Sequence, residues 1–221
     1  MVLWSKENTP LNQWVGNDSL LLEPINNVQE IAWSSTKSNI SPDFSKISSK
    51  VFHLNSHANL PFKNLYETPE TLGQDRIAAA AGAIFLYPHK NTIIIDAGTC
   101  ITVDFISETA EYHGGSISPG IQMRYRALHE FTGKLPLVNS AEQAPMLGKS
   151  TVQSIQSGVW LGVLAELNDR IDQISEKWPN TVVVITGGDA QILGNHLKTR
   201  IFAQPLLNHY GLLHCLKFNE F

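Results

Sequence analysis

Two apolar segments that run directly into glycine-containing turns place the strongest constraint on how this chain can fold. The first is Thr92–Asp96, which enters Ala97-Gly98, and the second is Thr181–Thr186, which enters Gly187-Gly188. Short apolar runs bounded by glycine are typical of buried strands. We therefore expect an α/β domain whose binding sites lie where the strands end.

The segments around these strands alternate between strand and helix patterns. The Ala-rich run Ile77–Tyr87 predicts a buried helix that ends at Pro88. A long helix is predicted to begin at Ser150 or Thr151, both of which are favourable N-caps. The other elements predicted in this half are strands at Ile101–Ile106 and Tyr112–Ile117, a helix after Pro119-Gly120 and a short helix from Asp189.

Residues 1–60 are polar and weakly patterned, with strands predicted at Ser19–Leu22 and Glu30–Trp33. Residues 34–49 are rich in Ser, Asn and Lys, so we expect loops and one short helix there. Because the pattern changes near Pro88, we predict two subdomains, residues 1–88 and 89–221.

Composition excludes several classes of function. The formal net charge of −4 disfavours nucleic-acid binding, which needs a basic face. The longest apolar run, Ile77–Tyr87, is shorter than the roughly 20 residues that span a bilayer, so no membrane association is expected. The opening residues lack the pattern of a signal peptide. With only Cys100 and Cys215, we expect a cytoplasmic protein with two buried free thiols.

Asp96 and the turn after it suit phosphate chemistry. In Asp96-Ala97-Gly98-Thr99, glycine permits close approach of a phosphate, and backbone N–H groups and the Thr99 hydroxyl can surround an anion. Asp96 is placed to hold a cation. The alternative is a tight hairpin in which Asp96 only caps the turn.

Two further glycine-rich turns each admit two interpretations. Thr186-Gly187-Gly188-Asp189 suits a nucleotide base or ribose lying against bare backbone, or a plain strand-to-helix turn. Gly114–Gly120 contains three glycines and a proline, which indicates unusual turns or an ordinary strand-to-helix connection.

Asp75 and Arg76 lie at the start of the Ala-rich helix. Arg76 suits bidentate binding of a substrate carboxylate. Asp75 suits acceptance of a hydroxyl proton during phosphoryl transfer. The alternative is a helix cap at Asp75 and a solvated Arg76.

Other catalytic patterns are missing from the sequence. His53 and His57 are four residues apart, but no carboxylate or further histidine completes a zinc motif. No Gly-x-Ser-x-Gly motif of a serine hydrolase is present. Gly148-Lys149-Ser150 lacks the upstream glycine of a Walker A loop.

Taken in order, these motifs resemble those of the type III pantothenate kinases, relatives of actin, hexokinase and the large heat-shock chaperones. The resemblance runs from about Val28 to about Leu197. Its blocks are Tyr66-x-x-Pro69-x-x-x-Gly73-x-Asp75-Arg76, Asp96-Ala97-Gly98-Thr99, Gly114-Gly115-x-Ile117-x-Pro119-Gly120, Gly148-Lys149-Ser150-Thr151 and Thr186-Gly187-Gly188. It implies an actin-like (ribonuclease H-like) kinase fold of two subdomains, with mixed sheets flanked by helices.

The resemblance also implies a reaction and a role for each block. The reaction is ATP-dependent phosphorylation of pantothenate to 4′-phosphopantothenate, the first step of coenzyme A biosynthesis, with Asp75 as proton acceptor. Asp96 would hold K⁺ or NH₄⁺, and Mg²⁺ would bridge the ATP phosphates. A homodimer with sites near its interface is implied as well. The residues implied for pantothenate are Tyr66, Gly73, Gln74, Asp75, Arg76 and Thr151, and those for ATP are Gly98, Thr99, Gly187 and Gly188.

One block of the family pattern has no counterpart here. The family begins with a strand carrying Asp-x-Gly-Asn-Thr, which Gly16-Asn17-Asp18-Ser19 echoes without a preceding apolar strand. We expect either that Met1 is internal to a longer protein, or that the product is truncated or inactive. A non-catalytic protein that binds pantothenate or a partner is therefore the alternative function. A kinase for another hydroxylated substrate is disfavoured by the Tyr66–Arg76 segment.

Overall fold

The computed structural model describes residues 2–4, 10–13, 30–35, 50–55, 57–141 and 143–219. The predicted strand Ser19–Leu22, the Gly16-Asn17-Asp18-Ser19 segment and residues 36–49 lie outside these ranges, so what was predicted for them stays a prediction.

Between residues 74 and 194, strands and helices follow one another much as the patterns predict. The strands are β1 (Val2–Trp4), β2 (Pro10–Gln13), β3 (Glu30–Trp33), β4 (Lys50–His53), β5 (Lys63–Asn64), β6 (Thr92–Ala97), β7 (Cys100–Ile106), β8 (Glu111–Pro119), β9 (Val182–Thr186) and β10 (Ile201–Ala203). The helices are α1 (Gln74–Leu86), α2 (Ile121–Glu130), α3 (Thr151–Lys177), α4 (Ala190–Gly194) and α5 (Leu207–Phe218), with a 3-10 turn at Pro69–Thr71.

A mixed sheet of six strands is the centre of the described part of the chain. Its order is β10-β9-β6-β7-β8-β5. Strands β6, β9 and β10 run parallel, whereas β6, β7 and β8 form the predicted antiparallel meander. Two separate pairs, β3 with β4 and β1 with β2, precede it. The carboxyl ends of β6 and β9 therefore lie side by side at one edge of the sheet.

Helices cover both faces of this sheet. Ile93 and Ile95 of β6 join a core with α2, α3 and α4, whereas Ile94 between them joins a second core with α1 and α5. Side chains that alternate along a strand point to opposite faces, so a fully apolar strand needs cover on both sides. The predicted α/β class, with helices flanking a mixed sheet, is confirmed.

Helix α5 and strand β10 had no sequence prediction. Helix α5 packs on α1 through two glycines, Gly82 and Gly211. A Cβ at Gly211 would come within 1.7 Å of the Ala78 carbonyl oxygen, and one at Gly82 within 2.2 Å of the Leu207 carbonyl oxygen. The two backbones are therefore in direct contact, which fixes α5 against α1.

The predicted subdomain division at residue 88 remains a prediction. Helix α1 precedes this position and β6 follows it, yet both contribute to the same core. None of the helices in the described ranges has the length and apolar character needed to cross a membrane.

Candidate active site

Three of the predicted glycine turns meet at the carboxyl ends of β6 and β9. The Asp189 N–H donates to the Ala97 carbonyl oxygen over 2.9 Å, which ties the turn after β9 to the end of β6. The Gly120 N–H donates to the Thr99 carbonyl oxygen over 3.0 Å, which ties the start of α2 to the turn after β6. Segments separated by many residues in sequence therefore form one backbone-lined edge.

Packing within the chain explains why some of these positions need glycine and does not explain it at others. Gly187 has a φ of +92°, and a Cβ there would lie 2.3 Å from the Ala97 carbonyl oxygen. By contrast, a Cβ at Gly98 or Gly188 would meet no described atom within 4 Å. Internal contacts thus require glycine at 187, while the backbone at 98 and 188 faces space that a ligand can enter.

Asp96 lies at this edge with its side chain partly buried. The Asn208 Nδ2–H donates to Asp96 Oδ2 over 3.1 Å, which brings in a residue from α5 that no motif indicated. Burial raises the pKa of Asp96, the Asn208 hydrogen bond opposes that shift, and the charges of Asp75 and Asp104 add to it. The alternative in which Asp96 only caps a hairpin turn does not explain its bond to α5.

Asp75 lies in the first turn of α1, one residue after the first helical residue. Gly73 is the N-cap, so the alternative of a capping Asp75 is wrong. The Arg76 N–H donates to Asp75 Oδ1 over 2.8 Å, which holds the carboxylate at the helix start. The charge of Asp75 contributes to the raised pKa of Asp96, so the predicted base and the predicted cation ligand lie within electrostatic range of each other.

Arg76 is buried, which makes the alternative of a solvated arginine wrong. Its side chain is 5% exposed and pairs with Asp104, which is 1% exposed. Arg76 Nη2 donates to Asp104 Oδ1 over 2.6 Å, and Nε donates to the same oxygen over 3.0 Å. Burial lowers the pKa of Arg76, but the hydrogen bond and charge of Asp104 outweigh it and raise that pKa overall. A carboxylate partner was predicted for Arg76, but the one observed is internal.

Tyr112 and Tyr66 complete this network beneath the start of α1. The Tyr112 hydroxyl, fully buried, donates to Asp104 Oδ1 over 2.6 Å. The Arg76 Cζ lies 5.4 Å from the centre of the Tyr66 ring, a distance suited to a cation–π interaction. Tyr66 therefore lies beside Arg76, the residue after the predicted base Asp75, as expected from the Tyr66–Arg76 block of the family pattern.

The remaining predicted residues lie at the starts of two helices. Gly73 and Gln74 begin α1, and Gln74 Oε1 accepts a hydrogen bond from the Ser35 N–H over 3.0 Å. Ser150 is the N-cap of α3, and its hydroxyl accepts from the Gln153 N–H. Thr151 is therefore the first residue of α3 and exposed, on the helix that covers the opposite face of the sheet from α1.

Asp104, Tyr112 and Asn208 are the site residues that sequence reasoning missed. Asp104 did carry a signal, because it is a charged residue inside the apolar run Ile101–Ile106, and a buried carboxylate needs a partner. Asn208 carried none, since its partner Asp96 is 112 positions away in the chain.

Three other features of the described residues, namely possible metal clusters, a cavity and the cysteines, add nothing to the candidate site. Within the described ranges, no three His, Cys, Asp or Glu side chains are grouped as a metal site would require. A cavity of about 450 Å³ lies between α3 and the segment after α4, and it contains none of the predicted site residues. Cys100 is exposed, so the prediction of two buried thiols is wrong for Cys100 and right for Cys215.

Comparison with a family model and comparison with individual proteins both find the same family. The family model described as type III pantothenate kinase matches residues 8–173. The chain is 46% identical over 175 residues to a type III pantothenate kinase of Bacteroides fragilis, covering 79% of this chain and 72% of that protein. It is also 46% identical over 179 residues to one of Cytophaga hutchinsonii, covering 80% of this chain and 76% of that protein.

A solved structure from Campylobacter jejuni also resembles this fold. It is described as a conserved member of a Baf family of transcriptional activators, and it superimposes with a TM-score of 0.57 at 25% identity. The match covers 76% of this chain and 73% of that one.

Proposed function

Because this chain belongs to the type III pantothenate kinase family, we propose that it transfers the γ-phosphoryl group of ATP to the primary hydroxyl of pantothenate. The product would be 4′-phosphopantothenate, for coenzyme A biosynthesis. The observation that carries the proposal is the open glycine backbone beside Asp96 at the ends of β6 and β9, with Asp75 within electrostatic range of Asp96. Phosphoryl transfer depends mainly on positioning and on charge stabilisation, and this edge offers both.

Asp75 is the proposed proton acceptor for the pantothenate hydroxyl. Its carboxylate is fixed by the hydrogen bond from the Arg76 backbone, and the Arg76 side chain is fixed by Asp104. A base held on a rigid helix start can be oriented toward the attacking hydroxyl without a further conformational change. Pantothenate would lie against this helix start, with Tyr66, Gly73, Gln74 and Arg76 contributing to the pocket and Thr151 as a further contact.

ATP would lie along the backbone edge formed by Gly98, Thr99, Gly187 and Gly188. The open space at Gly98 and Gly188 supports this, because phosphates and ribose can approach bare backbone closely. Mg²⁺ would accompany the ATP phosphates, mostly through water molecules.

The residues at Asp96 fit a monovalent cation. Burial, and after it the charges of Asp75 and Asp104, raise the pKa of Asp96, and a bound cation would favour its ionised form. We assign Asp96 to K⁺ or NH₄⁺. When bound, the cation supplies positive charge that offsets the charge of the phosphates.

Three further features of the family complete the proposal. They are a homodimer, two subdomains and a cytoplasmic location. Each rests on the family resemblance and the composition rather than on contacts within the described residues.

The test is a pantothenate phosphorylation assay with ATP, Mg²⁺ and K⁺, in which product is identified by mass. Asp75→Asn, which keeps the shape of the side chain, should lower kcat by at least about 100-fold, the contribution of a general base. Glu70→Gln, at an exposed acid in the adjacent 3-10 turn, is the matched control and should leave kcat unchanged. If Asp75→Asn turns over at the rate of the unmodified chain, Asp75 is not the base.

The non-catalytic alternative makes a different prediction. It requires that the unmodified chain bind pantothenate in titration calorimetry and form no product with ATP. Product formation by the unmodified chain excludes that alternative directly.

A further inference from the structure

The first turn of α5 brings a polar side chain into the candidate site. Asn208 donates through Nδ2 to Asp96 Oδ2 over 3.1 Å, across 112 positions of sequence. Its other polar atom, Oδ1, is buried and has no hydrogen-bond partner among the described residues. Buried side-chain oxygens in folded proteins nearly always have a partner, so this one needs an explanation.

The orientation of the Asn208 amide follows from its partner. A carboxylate oxygen accepts hydrogen bonds and cannot donate them when ionised, so Nδ2 rather than Oδ1 must face Asp96. Both atoms are bonded to the same carbon, so the unpartnered Oδ1 lies two bonds from the nitrogen that contacts the Asp96 carboxylate. The pair therefore contributes two kinds of oxygen, one carboxylate and one amide, to the same part of the site.

The position of α5 leaves Asn208 little freedom to move away. The backbone contact at Gly82 and Gly211 holds α5 against α1, and a Cβ at Gly82 would clash with the carbonyl oxygen of Leu207, next to Asn208. A side chain on an element held by backbone packing gives a binding site better defined than one on a loop. The amide is thus a fixed part of the site.

Hard cations prefer oxygen ligands, and carboxylate and amide oxygens commonly bind them together. We propose that Asn208 is a residue of the monovalent-cation site, in which Nδ2 positions Asp96 and Oδ1 binds the cation. This rests on the proposed function to the extent that Asp96 is the cation ligand. Asn208 lies beyond residues 8–173, where the family model matches, so the match does not assign it.

The test separates cation binding from turnover. The melting temperature of the chain is measured in KCl and in tetramethylammonium chloride at equal ionic strength, without ATP or pantothenate. The unmodified chain should melt higher in KCl, because a ligand that binds the folded state stabilises it. Asn208→Leu, of similar size but without polar atoms, should lose that difference and raise the K⁺ concentration for half-maximal activity by about tenfold.

Asn208→Asp distinguishes a ligand from a merely structural residue. It keeps an oxygen beside Asp96 but adds a second negative charge, so its melting temperature should depend on K⁺ more steeply than that of the unmodified chain. A structural role alone predicts that both Asn208 variants melt lower by the same amount in either salt. Asn195→Leu, at an exposed asparagine after α4, is the matched control and should behave as the unmodified chain does.

Each outcome bears on the proposal. A K⁺-dependent difference that persists in Asn208→Leu overturns it, and so does an unmodified chain that melts equally in both salts. If the unmodified chain responds to K⁺ and Asn208→Leu does not, the inference stands even when no pantothenate is phosphorylated. The kinase proposal would then fail on its own assay.

Discussion

Asp104→Asn should destabilise this protein more than any comparable change of a single polar atom in the candidate site. The carboxylate is 1% exposed and receives Arg76 Nη2 at 2.6 Å, Arg76 Nε at 3.0 Å and the Tyr112 hydroxyl at 2.6 Å, all on Oδ1. Arg76 Nε also lies 3.2 Å from Oδ2. Asparagine can keep Oδ1 as an acceptor only by placing its NH₂ group against Arg76 Nε, donor against donor. The guanidinium then stays buried without a counter-charge.

The expected magnitude follows from that geometry. Removing one partner of a buried ion pair costs about 3–5 kcal/mol. A typical domain has a free energy of unfolding of about 5–15 kcal/mol, so the loss is a large fraction of the total. With a urea m-value of about 2–3 kcal/mol/M, the unfolding midpoint should fall by about 1–2.5 M.

Two further variants make the urea experiment decisive. Tyr112→Phe removes one hydrogen bond to the same oxygen and leaves the ion pair intact, so it should cost about 1.5–3 kcal/mol. The double variant Arg76→Met with Asp104→Leu, made in the Tyr112→Phe background so that no hydroxyl loses its acceptor, removes both charges and should add less destabilisation to that background than Asp104→Asn does to the unmodified chain. If Asp104→Asn lowers the midpoint less than Tyr112→Phe does, the unpaired guanidinium is not the dominant cost and the reasoning is refuted.

Three other changes test packing, thiol burial and a surface ion pair. Gly211→Ala should cost about 2 kcal/mol in urea unfolding, because the clash with α1 outweighs the gain in helix propensity; an unchanged midpoint contradicts the backbone contact. Iodoacetamide should alkylate exposed Cys100 about a thousandfold faster than Cys215, since burial raises the pKa of Cys215 to about 12; equal rates by mass spectrometry contradict this. Burial raises the pKa of Glu166, but its hydrogen bonds, including the one from Arg124, lower that pKa overall. The Arg124–Glu166 ion pair therefore stabilises the folded state fully above the unfolded pKa of about 4.3, and stabilises it less as pH falls. Glu166→Gln should therefore cost about 0.5 kcal/mol at neutral pH and progressively less as pH falls through the lowered pKa, and a cost that does not shrink with falling pH contradicts the pairing.

Pattern and composition predicted the elements whose signals are strong and local. Helix α1 follows from its alanine content and from Pro88, and β6 and β9 follow from apolar runs that end in glycine. Strands β5 and β10 are two and three residues long, too short for a period to be recognised. Helix α5 contains a glycine that disfavours a helix locally, and only the contact with α1 explains why it is there.

The backbone turns of the candidate site were predictable, because glycine motifs indicate where the backbone turns. The turns at Gly98 and Gly187 were predicted from glycine spacing, and the structure brings them together. The partners of charged side chains were not, because pairing is decided by folding. Arg76 was expected to find a carboxylate on a substrate, and the chain supplies Asp104 from the neighbouring sheet instead.

The contact between α1 and α5 also has a consequence for biosynthesis. The bond between the His214 ring and the Ala81 carbonyl spans 133 positions, so the helix that carries Asp75 gains this partner only long after it has left the ribosome. Contacts of such sequence separation form late and slow folding. Until then the buried alanine face of α1 has no cover from α5, so this face stays exposed to solvent while the rest of the chain is synthesised.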